Sequence, residues 1–305
     1  MHGLTVSIND PLIIYPLIII IALIISLVLA FAALRIRVIT RDAVIPSTLV
    51  GFMILLGGPS SILPFIVFLG SSSALTKIGI EKKEELGAAE DVKGRNWKQV
   101  LAVGLVPSTL ALLAGAAYFN RDMLIYQVLI TASVTGIAYS NADTWASELG
   151  VLSRSKPRLI VRPWVTVDPG VSGGVTLLGE LSSFLGSSTI ALTYLGVQYL
   201  LRFLGFINTV NPWLVAIVLI LGYLGEVLDS VFGALFQPKY RCPRCGIMTD
   251  RNVHVCGERT VRVMGSYDLE NEDVNLLVSA ITAAVSLAVL LLIFSSRAII
   301  TGFIS

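Results

Sequence analysis

Charged side chains are scarce in this chain, and their scarcity excludes a water-soluble fold. Asp, Glu, Lys and Arg make up only 14% of the 305 residues, whereas apolar types make up 55%. Mean hydropathy is +0.82, and whole runs such as residues 11–34 contain no charge. Such runs match the roughly 20 residues needed to cross about 30 Å of hydrocarbon. We therefore predict an all-α, polytopic membrane protein.

The apolar runs predict about eight spans, within a range of seven to nine, in a single helical domain over residues 1–305. The second and third spans are short and are joined by GGPS, so they could form a re-entrant hairpin. The sixth is too long for one straight span, and we expect it to be tilted or broken. The predicted spans are 11–34, 43–57, 60–76, 99–119, 123–140, 172–204, 213–236 and 273–296.

Basic residues are distributed unevenly between the two sides of this topology. One side contains 19 of the 22 Lys and Arg residues, and the other contains Arg121, Arg202 and Arg297. The positive-inside rule places the basic side in the cytoplasm. We therefore predict a multi-pass protein of the cell membrane with both termini outside. The predicted cytoplasmic loops are 35–42, 77–98, 141–171 and 237–272.

Acidic residues within or beside apolar spans are energetically costly and usually functional. Glu226 and Asp229 are three residues apart, so they share a helical face. They lie within roughly 15 Å of the predicted cytoplasmic end, and Glu180 lies at a similar depth. Such carboxylates could form hydrogen bonds to Ser and Thr side chains and serve only helix packing. However, several carboxylates at one depth favour a shared pocket. The six candidates are Asp143, Glu148, Glu180, Glu226, Asp229 and Asp273.

The segment SNADTWASELG (140–150) follows an apolar run. In a continuous helix Asp143 and Glu148 do not share a face. Both could therefore reach one centre only if the helix is interrupted or the site lies between helices. Alternatively, Ser140 or Asn141 caps a short new helix. Carboxylate and amide oxygens suit Mg²⁺, which relies on substrate phosphates for its other ligands. The predicted catalytic set is Asn141, Asp143, Glu148, Glu226 and Asp229, with Asp143, Glu148 and Asp229 as Mg²⁺ ligands.

Three further segments supply candidate phosphate-binding residues, although none is a Walker A motif or a dinucleotide fingerprint. They are SSSALTKIG (71–79), KGRNWKQ (93–99) and VDPGVSGGV (167–175). The last is a Gly-rich turn expected to open a helix, where backbone N–H groups favour an anion. Alternatively, the lysines snorkel and the glycines permit close helix contact. The candidates are Thr76, Lys77, Arg95, Lys98, Gly170, Ser172, Gly173 and Gly174.

All three cysteines lie in one segment, CPRCGIMTDRNVHVC, within the predicted cytoplasmic loop 237–272. Its pattern favours a structural zinc site, because Cys₃His is a complete tetrahedral ligand set. The alternatives are free cytoplasmic thiols or a redox pair. The predicted zinc ligands are Cys242, Cys245, His254 and Cys256.

Taken together, these motifs resemble those of the transmembrane protein 19 family of integral membrane proteins, which includes phytyl-phosphate kinase. SSSALTKIG, GRNWKQVLAVG, YSNADTWASELG, PGVSGGVTLLGELSSFLG, GEVLDSVFGALFQ and the CPRCG…HVCGERT loop occur in the family's order. ENEDVNLLVSA follows, and the match runs from about residue 50 to 285. Relatives often carry Asn in the Gly-rich turn where this chain has Ser172, which weakens any side-chain role at that position.

The resemblance implies an enzyme that phosphorylates a polyprenyl monophosphate, with a nucleoside triphosphate, CTP foremost, as donor. The family is distantly similar to CTP-using membrane enzymes such as dolichol kinase and phosphatidate cytidylyltransferase. The expected partners are a polyprenyl phosphate, a nucleoside triphosphate and membrane lipids, with no nucleic acid. The alternatives are a lipid-phosphate cytidylyltransferase, a cation-coupled transporter and, with least support, a structural protein.

Overall fold

The computed structural model describes residues 11–88, 94–265 and 269–302. The two ends of the chain, residues 89–93 of the predicted 77–98 loop and residues 266–268 of the 237–272 loop lie outside this description. The described part contains nine α-helices, a short 3₁₀ helix at Arg41–Ala43 and six short β-strands. The α-helices are α1 Pro11–Arg35, α2 Val44–Leu56, α3 Pro59–Lys77, α4 Ile80–Glu85, α5 Trp97–Phe119, α6 Met123–Gly150, α7 Leu177–Phe203, α8 Pro212–Phe236 and α9 Asn271–Gly302.

Seven of these helices are long and apolar enough to cross a membrane, as far as the described residues show: α1, α3 and α5 to α9. The prediction of a polytopic helical membrane protein is confirmed. Most of α1 is exposed outside a stripe at Ala22, Ser26 and Ala30. Because these three residues are four apart, they form one face. The remaining apolar surface is suited to lipid.

The second predicted span forms only a short helix, the 13-residue α2. At 1.5 Å per residue this helix is about 20 Å long, which is less than a membrane thickness. It turns at Gly57 and Gly58 into α3 and ends against α5, where a Cβ on Gly115 would lie 2.2 Å from the carbonyl oxygen of Leu56. Because such close approach requires glycine, α2 is tightly packed against α5.

Helix α6 is the central element of the bundle and packs against α3, α5, α7, α8 and α9. Small residues on its neighbours allow this. A Cβ on Gly186 of α7 would lie 3.1 Å from Ala142, and one on Gly222 of α8 would lie 2.7 Å from Ala138. Close backbone approach of this kind is typical of membrane helix interfaces.

The same helix corrects the predicted loop boundary. Asp122 caps α6 by accepting a hydrogen bond from the N–H of Ile125 at 3.1 Å, and the helix then continues without a break to Gly150. Residues 141–150, predicted as loop, are therefore helical. The alternative in which Ser140 or Asn141 starts a new helix is also wrong. Both side chains are buried, so neighbouring helices rather than water satisfy them.

Helix α7 also differs from its predicted span. Residues 172–176 form a turn and a short strand, and Thr176 caps the helix by accepting from the N–H of Gly179 at 3.0 Å. The helix is then continuous over 27 residues, so the predicted span is not broken. The Gly-rich turn precedes the helix by several residues rather than opening it directly.

Two small antiparallel sheets lie at one end of the bundle. The backbone N–H of Arg95 donates to Val38 at 2.9 Å, and that of Met248 donates to Asp168 at 2.8 Å. Lys82 donates to the carbonyl of Leu152 at 3.3 Å, which joins these two pairs of loops. The four predicted basic loops are therefore gathered at one end, here called the loop end. The strands are β1 Arg158–Leu159, β2 Arg162–Thr166, β3 Gly174–Val175, β4 Lys239–Arg241, β5 Met248–Thr249 and β6 Val261–Met264, in the orders β2-β1-β3 and β5-β4-β6.

Candidate functional site

A cavity of about 490 Å³ lies at the loop end, between α6, α7, α8 and the loops that cover them. Five of the six predicted acidic residues line it. The sixth, Asp273, is exposed and accepts a hydrogen bond from the N–H of Glu270 at 2.9 Å. Among the described residues, seven carboxylates and two arginines line the cavity: Asp143, Glu148, Glu180, Glu226, Asp229, Asp250 and Glu272, with Arg95 and Arg251.

Asp143 of α6 and Asp229 of α8 line the cavity from two different helices, and Arg95 also lines it. Asp229 is buried and accepts a hydrogen bond from the buried hydroxyl of Tyr139 at 2.7 Å. The amide of Asn275, oriented to satisfy its neighbours, donates to the same oxygen at 3.0 Å. Asp229 is thus held in one orientation.

Glu226 and Glu180 are also held by specific donors. Ser183 donates to one carboxylate oxygen of Glu226 at 2.9 Å, and Ser230 donates to the other at 3.1 Å. Glu180 accepts a hydrogen bond from the hydroxyl of Tyr223 at 3.0 Å. Both residues line the cavity, Glu180 from α7 and Glu226 from α8.

Glu148 lines the cavity but is engaged by partners outside it. Its Oε2 forms an ion pair with the Nζ of Lys83 at 2.5 Å, and its Oε1 accepts from Thr76 at 2.6 Å. The Lys83 side chain is only 1% exposed and also donates to the carbonyl of Leu75 at 2.8 Å. Sequence reasoning missed Lys83, because the segment IEKKEE around it is typical of a solvated charged helix. With Asp143 and Glu148 both on the wall, the site lies between helices.

Asn141 lies off the cavity and joins three helices. Its side-chain oxygen accepts from the hydroxyl of Ser71 on α3 at 3.0 Å. Its side-chain nitrogen donates to the carbonyl of Gly186 on α7 at 2.8 Å. Because both ends of the amide are used and the residue is fully buried, Asn141 fixes the position of α6, on which Asp143 lies.

The predicted phosphate-binding residues divide into two groups. Arg95 and the four residues of the Gly-rich turn, Gly170, Ser172, Gly173 and Gly174, line the cavity. Thr76, Lys77 and Lys98 do not. Lys77 is exposed, and Lys98 forms an exposed ion pair with Glu270 at 2.5 Å.

The Gly-rich turn is held between α8 and the Cys-rich loop. Gly170 and Gly173 adopt φ values of +85° and +74°, which side chains disfavour. The backbone N–H of Ser172 donates to Asp250 Oδ2 at 2.8 Å, and its hydroxyl donates to the same oxygen. Burial raises the pKa of Asp250, while the bonds from Ser172 act in the opposite direction. Asp250 was not predicted, since it lies 78 residues from Ser172.

Gly173→Ala should destabilise the protein by about 2–4 kcal/mol, because it adds overpacking to backbone strain. A Cβ at this position would lie 2.4 Å from that of Ala234. Gly205→Ala is the matched control, since φ there is +78° but nothing lies within 4 Å; we expect only the strain of about 1–2 kcal/mol. Thermal unfolding in detergent measures both. Equal losses would show that the contact with α8 contributes nothing.

The cysteine cluster forms a second, separate centre. The Sγ atoms of Cys242 and Cys256 are 3.7 Å apart, and Nδ1 of His254 lies 3.1 Å from the latter. The ligand atoms of these three residues and Cys245 all lie within 4.8 Å of one another. Within the described part of the chain, no comparable group forms from Asp143, Glu148 and Asp229. The four-residue set predicted from the sequence is therefore brought together.

Comparisons with known proteins support the family resemblance that the sequence motifs indicate. The model of the integral membrane protein family DUF92 matches residues 24–283. Protein PGR of Arabidopsis thaliana is 32% identical over 234 residues, which cover 72% of this chain and 80% of that protein. The uncharacterized membrane protein MJ0933 of Methanocaldococcus jannaschii is 32% identical over 236 residues, which cover 77% of this chain and 87% of that protein.

A more distant relative is the chloroplastic protein VTE6 of Arabidopsis thaliana, at 25% identity over 188 residues. The match covers 60% of this chain and 51% of VTE6, so the chain spans about half the length of that relative. No solved structure matches. The resemblance to the phytyl-phosphate kinase family is confirmed: the chain belongs to the integral membrane protein family DUF92, together with PGR and VTE6.

Proposed function

We propose that the protein is a membrane-embedded, Mg²⁺-dependent kinase that converts a polyprenyl monophosphate to the diphosphate, with CTP as the donor. The observation that carries the proposal is the acidic lining of the cavity, where seven carboxyl side chains outnumber two arginines. A bare phosphate would be repelled from such a wall. A phosphate that arrives with divalent cations would be attracted, as phosphoryl transfer generally requires.

Asp143 and Asp229 are the residues that would hold Mg²⁺. Mg²⁺ is usually bound by one or two carboxylates plus substrate phosphates. Asp143 and Asp229 both line the cavity, and hydrogen bonds from Tyr139 and Asn275 hold Asp229 in place. The ion would neutralise charge on the transferring phosphoryl group. Glu226 lies beside them, and Glu148 is engaged by Lys83. Arg95 and the Gly-rich turn would position the nucleotide phosphates.

The reaction needs no strong general base, because a lipid phosphate is already a competent nucleophile near neutral pH. One of its oxygens attacks the γ-phosphorus, and the bond to the β,γ-bridging oxygen breaks. The products are the lipid diphosphate and a nucleoside diphosphate. Catalysis then comes from alignment and charge neutralisation. The reaction takes place at the cytoplasmic face of the cell membrane.

A cation-coupled carrier would need carboxylates that are reached from both sides of the membrane. A second cavity of about 570 Å³ lies at the opposite end and contains Tyr126, Tyr194 and Arg121. The described residues that line it include no carboxylate. The acidic cluster is therefore concentrated at the loop end, which supports an enzyme over a carrier.

The test is product identification with purified protein, Mg²⁺, labelled CTP or ATP, and phytyl or geranylgeranyl monophosphate. We expect a lipid diphosphate and CDP, and no product when Mg²⁺ is withheld. A CDP-lipid with pyrophosphate would instead identify a cytidylyltransferase. Absence of both products, with ion-dependent uptake in proteoliposomes, would identify a carrier and overturn the kinase.

A further inference from the structure

The cysteine cluster outside the proposed catalytic centre carries a second inference. We propose that Cys242, Cys245, His254 and Cys256 bind one Zn²⁺ ion, and that this ion holds Asp250 against the Gly-rich turn. The inference is independent of which reaction the cavity supports. It assigns the polar loop 237–272 a role in building the cavity wall.

The geometry of the cluster suits a tetrahedral ion. Ligand sulfurs at about 2.3 Å from zinc lie about 3.8 Å apart, and the Sγ atoms of Cys242 and Cys256 are 3.7 Å apart. The N–H of Cys245 points to the Sγ of Cys242 at 3.4 Å. Gly246, with φ of +72°, closes this turn through its N–H bond to the Cys242 carbonyl at 2.9 Å. The first half of the site is thus a folded metal knuckle.

The chemistry of the donors selects the metal. Three thiolates and one imidazole are soft and borderline ligands, which favour Zn²⁺ over Mg²⁺ or Ca²⁺. Four protein ligands leave no open position, so the ion is structural rather than catalytic.

The loop has little else to hold its folded form. Its sheet consists of three strands of two to four residues. Among its described residues, Met248 and Met264 pack against the nearby apolar cluster, and Leu269 packs against another. At its base, the buried Nζ of Lys239 donates to the carbonyl of Gly233 at the end of α8, at 2.8 Å. A small polar segment of this kind usually requires a metal or a disulfide for stability.

The link to the cavity runs through the residues between the two ligand pairs. Thr249, Asp250 and Arg251 lie between Cys245 and His254, and all three line the cavity. Asp250 accepts both the N–H and the hydroxyl of Ser172. Since the ligands flank this segment on both sides, metal binding fixes the carboxylate that holds the turn in place.

The test uses the full chain, purified in detergent without chelator. We expect about one zinc per chain by metal analysis and loss of that zinc in Cys245→Ser. Chelation followed by excess Mg²⁺ should speed amide hydrogen exchange over residues 170–174 by about tenfold, because a hydrogen bond to a charged group is lost. Residues 130–140 of α6 should not change. Asp250→Ala is the matched variant: zinc content stays, while exchange over 170–174 rises without chelation.

Each other outcome overturns a stated part of the proposal. If the purified protein contains no zinc and has three free thiols, or a disulfide between Cys242 and Cys256, the proposed metal site is excluded. A zinc-loaded protein whose exchange over 170–174 is unaffected by chelation removes the link to the cavity. Both measurements are made without substrate, so neither result depends on the kinase proposal.

Discussion

Lys83→Met should lower the free energy of unfolding by about 3 kcal/mol, because breaking a buried ion pair leaves the partner charge uncompensated. The Lys83 side chain is 1% exposed and that of Glu148 is 12% exposed. Since Glu148 also faces the cavity, water reaches it in part, and we expect the lower end of the usual range of about 3–5 kcal/mol. Thermal unfolding of the detergent-solubilised protein measures the change.

Two variants show whether the loss comes from the pair. Lys82→Met replaces the exposed neighbour of Lys83 and should change stability by less than about 0.5 kcal/mol. The double variant Lys83→Met, Glu148→Gln removes both charges and should recover much of the loss, since Thr76 can still donate to the amide oxygen. If the double variant is as unstable as Lys83→Met alone, the uncompensated charge is not the cause.

The apolar spans could be predicted from composition because lipid-facing surface must be apolar whatever the tertiary packing. The end of α6 could not. Residues 140–148 contain Ser, Asn, Asp and Glu, which predict a loop where water is the partner. In the structure Ser71, Gly186 and Lys83 supply those partners. A helix whose end lines a polar cavity and a helix whose end reaches water have the same local sequence pattern of polar residues.

Helical spacing predicted the shared face of the acidic residues on α8, but it did not identify the partners supplied by other parts of the chain. Glu226 and Asp229 share a face by their spacing alone, and both line the cavity. Among the lysines, local sequence does not separate Lys98, which is exposed, from Lys83, which is buried. Their difference arises because α4 folds back after Gly79, whose φ is +64°, and this is a tertiary effect. Asp250 depends likewise on a distant loop.

Asp143→Asn and Asp229→Asn should each lower the rate of lipid diphosphate formation by more than about 100-fold. Changes to residues that merely orient a metal ligand typically cost about 10–100-fold, so loss of a ligand should cost more. The amide keeps the volume of the side chain, and in Asp229→Asn the Tyr139 hydroxyl can still donate to the amide oxygen. Asp273→Asn is the matched control, as Asp273 lies outside the cavity, and it should retain activity.

The same substitutions should have the opposite effect on stability in the absence of Mg²⁺. Asp229 is buried and Asp143 is half-buried, and a neutral amide avoids the cost of keeping a carboxylate charge away from water. The variants should therefore unfold at a higher temperature than the wild type without Mg²⁺. Added Mg²⁺ should stabilise the wild type more than either variant. If Asp143 and Asp229 served only helix packing, each substitution would instead lower the stability of the protein, because it would disturb packing contacts. Enzyme activity would then be retained.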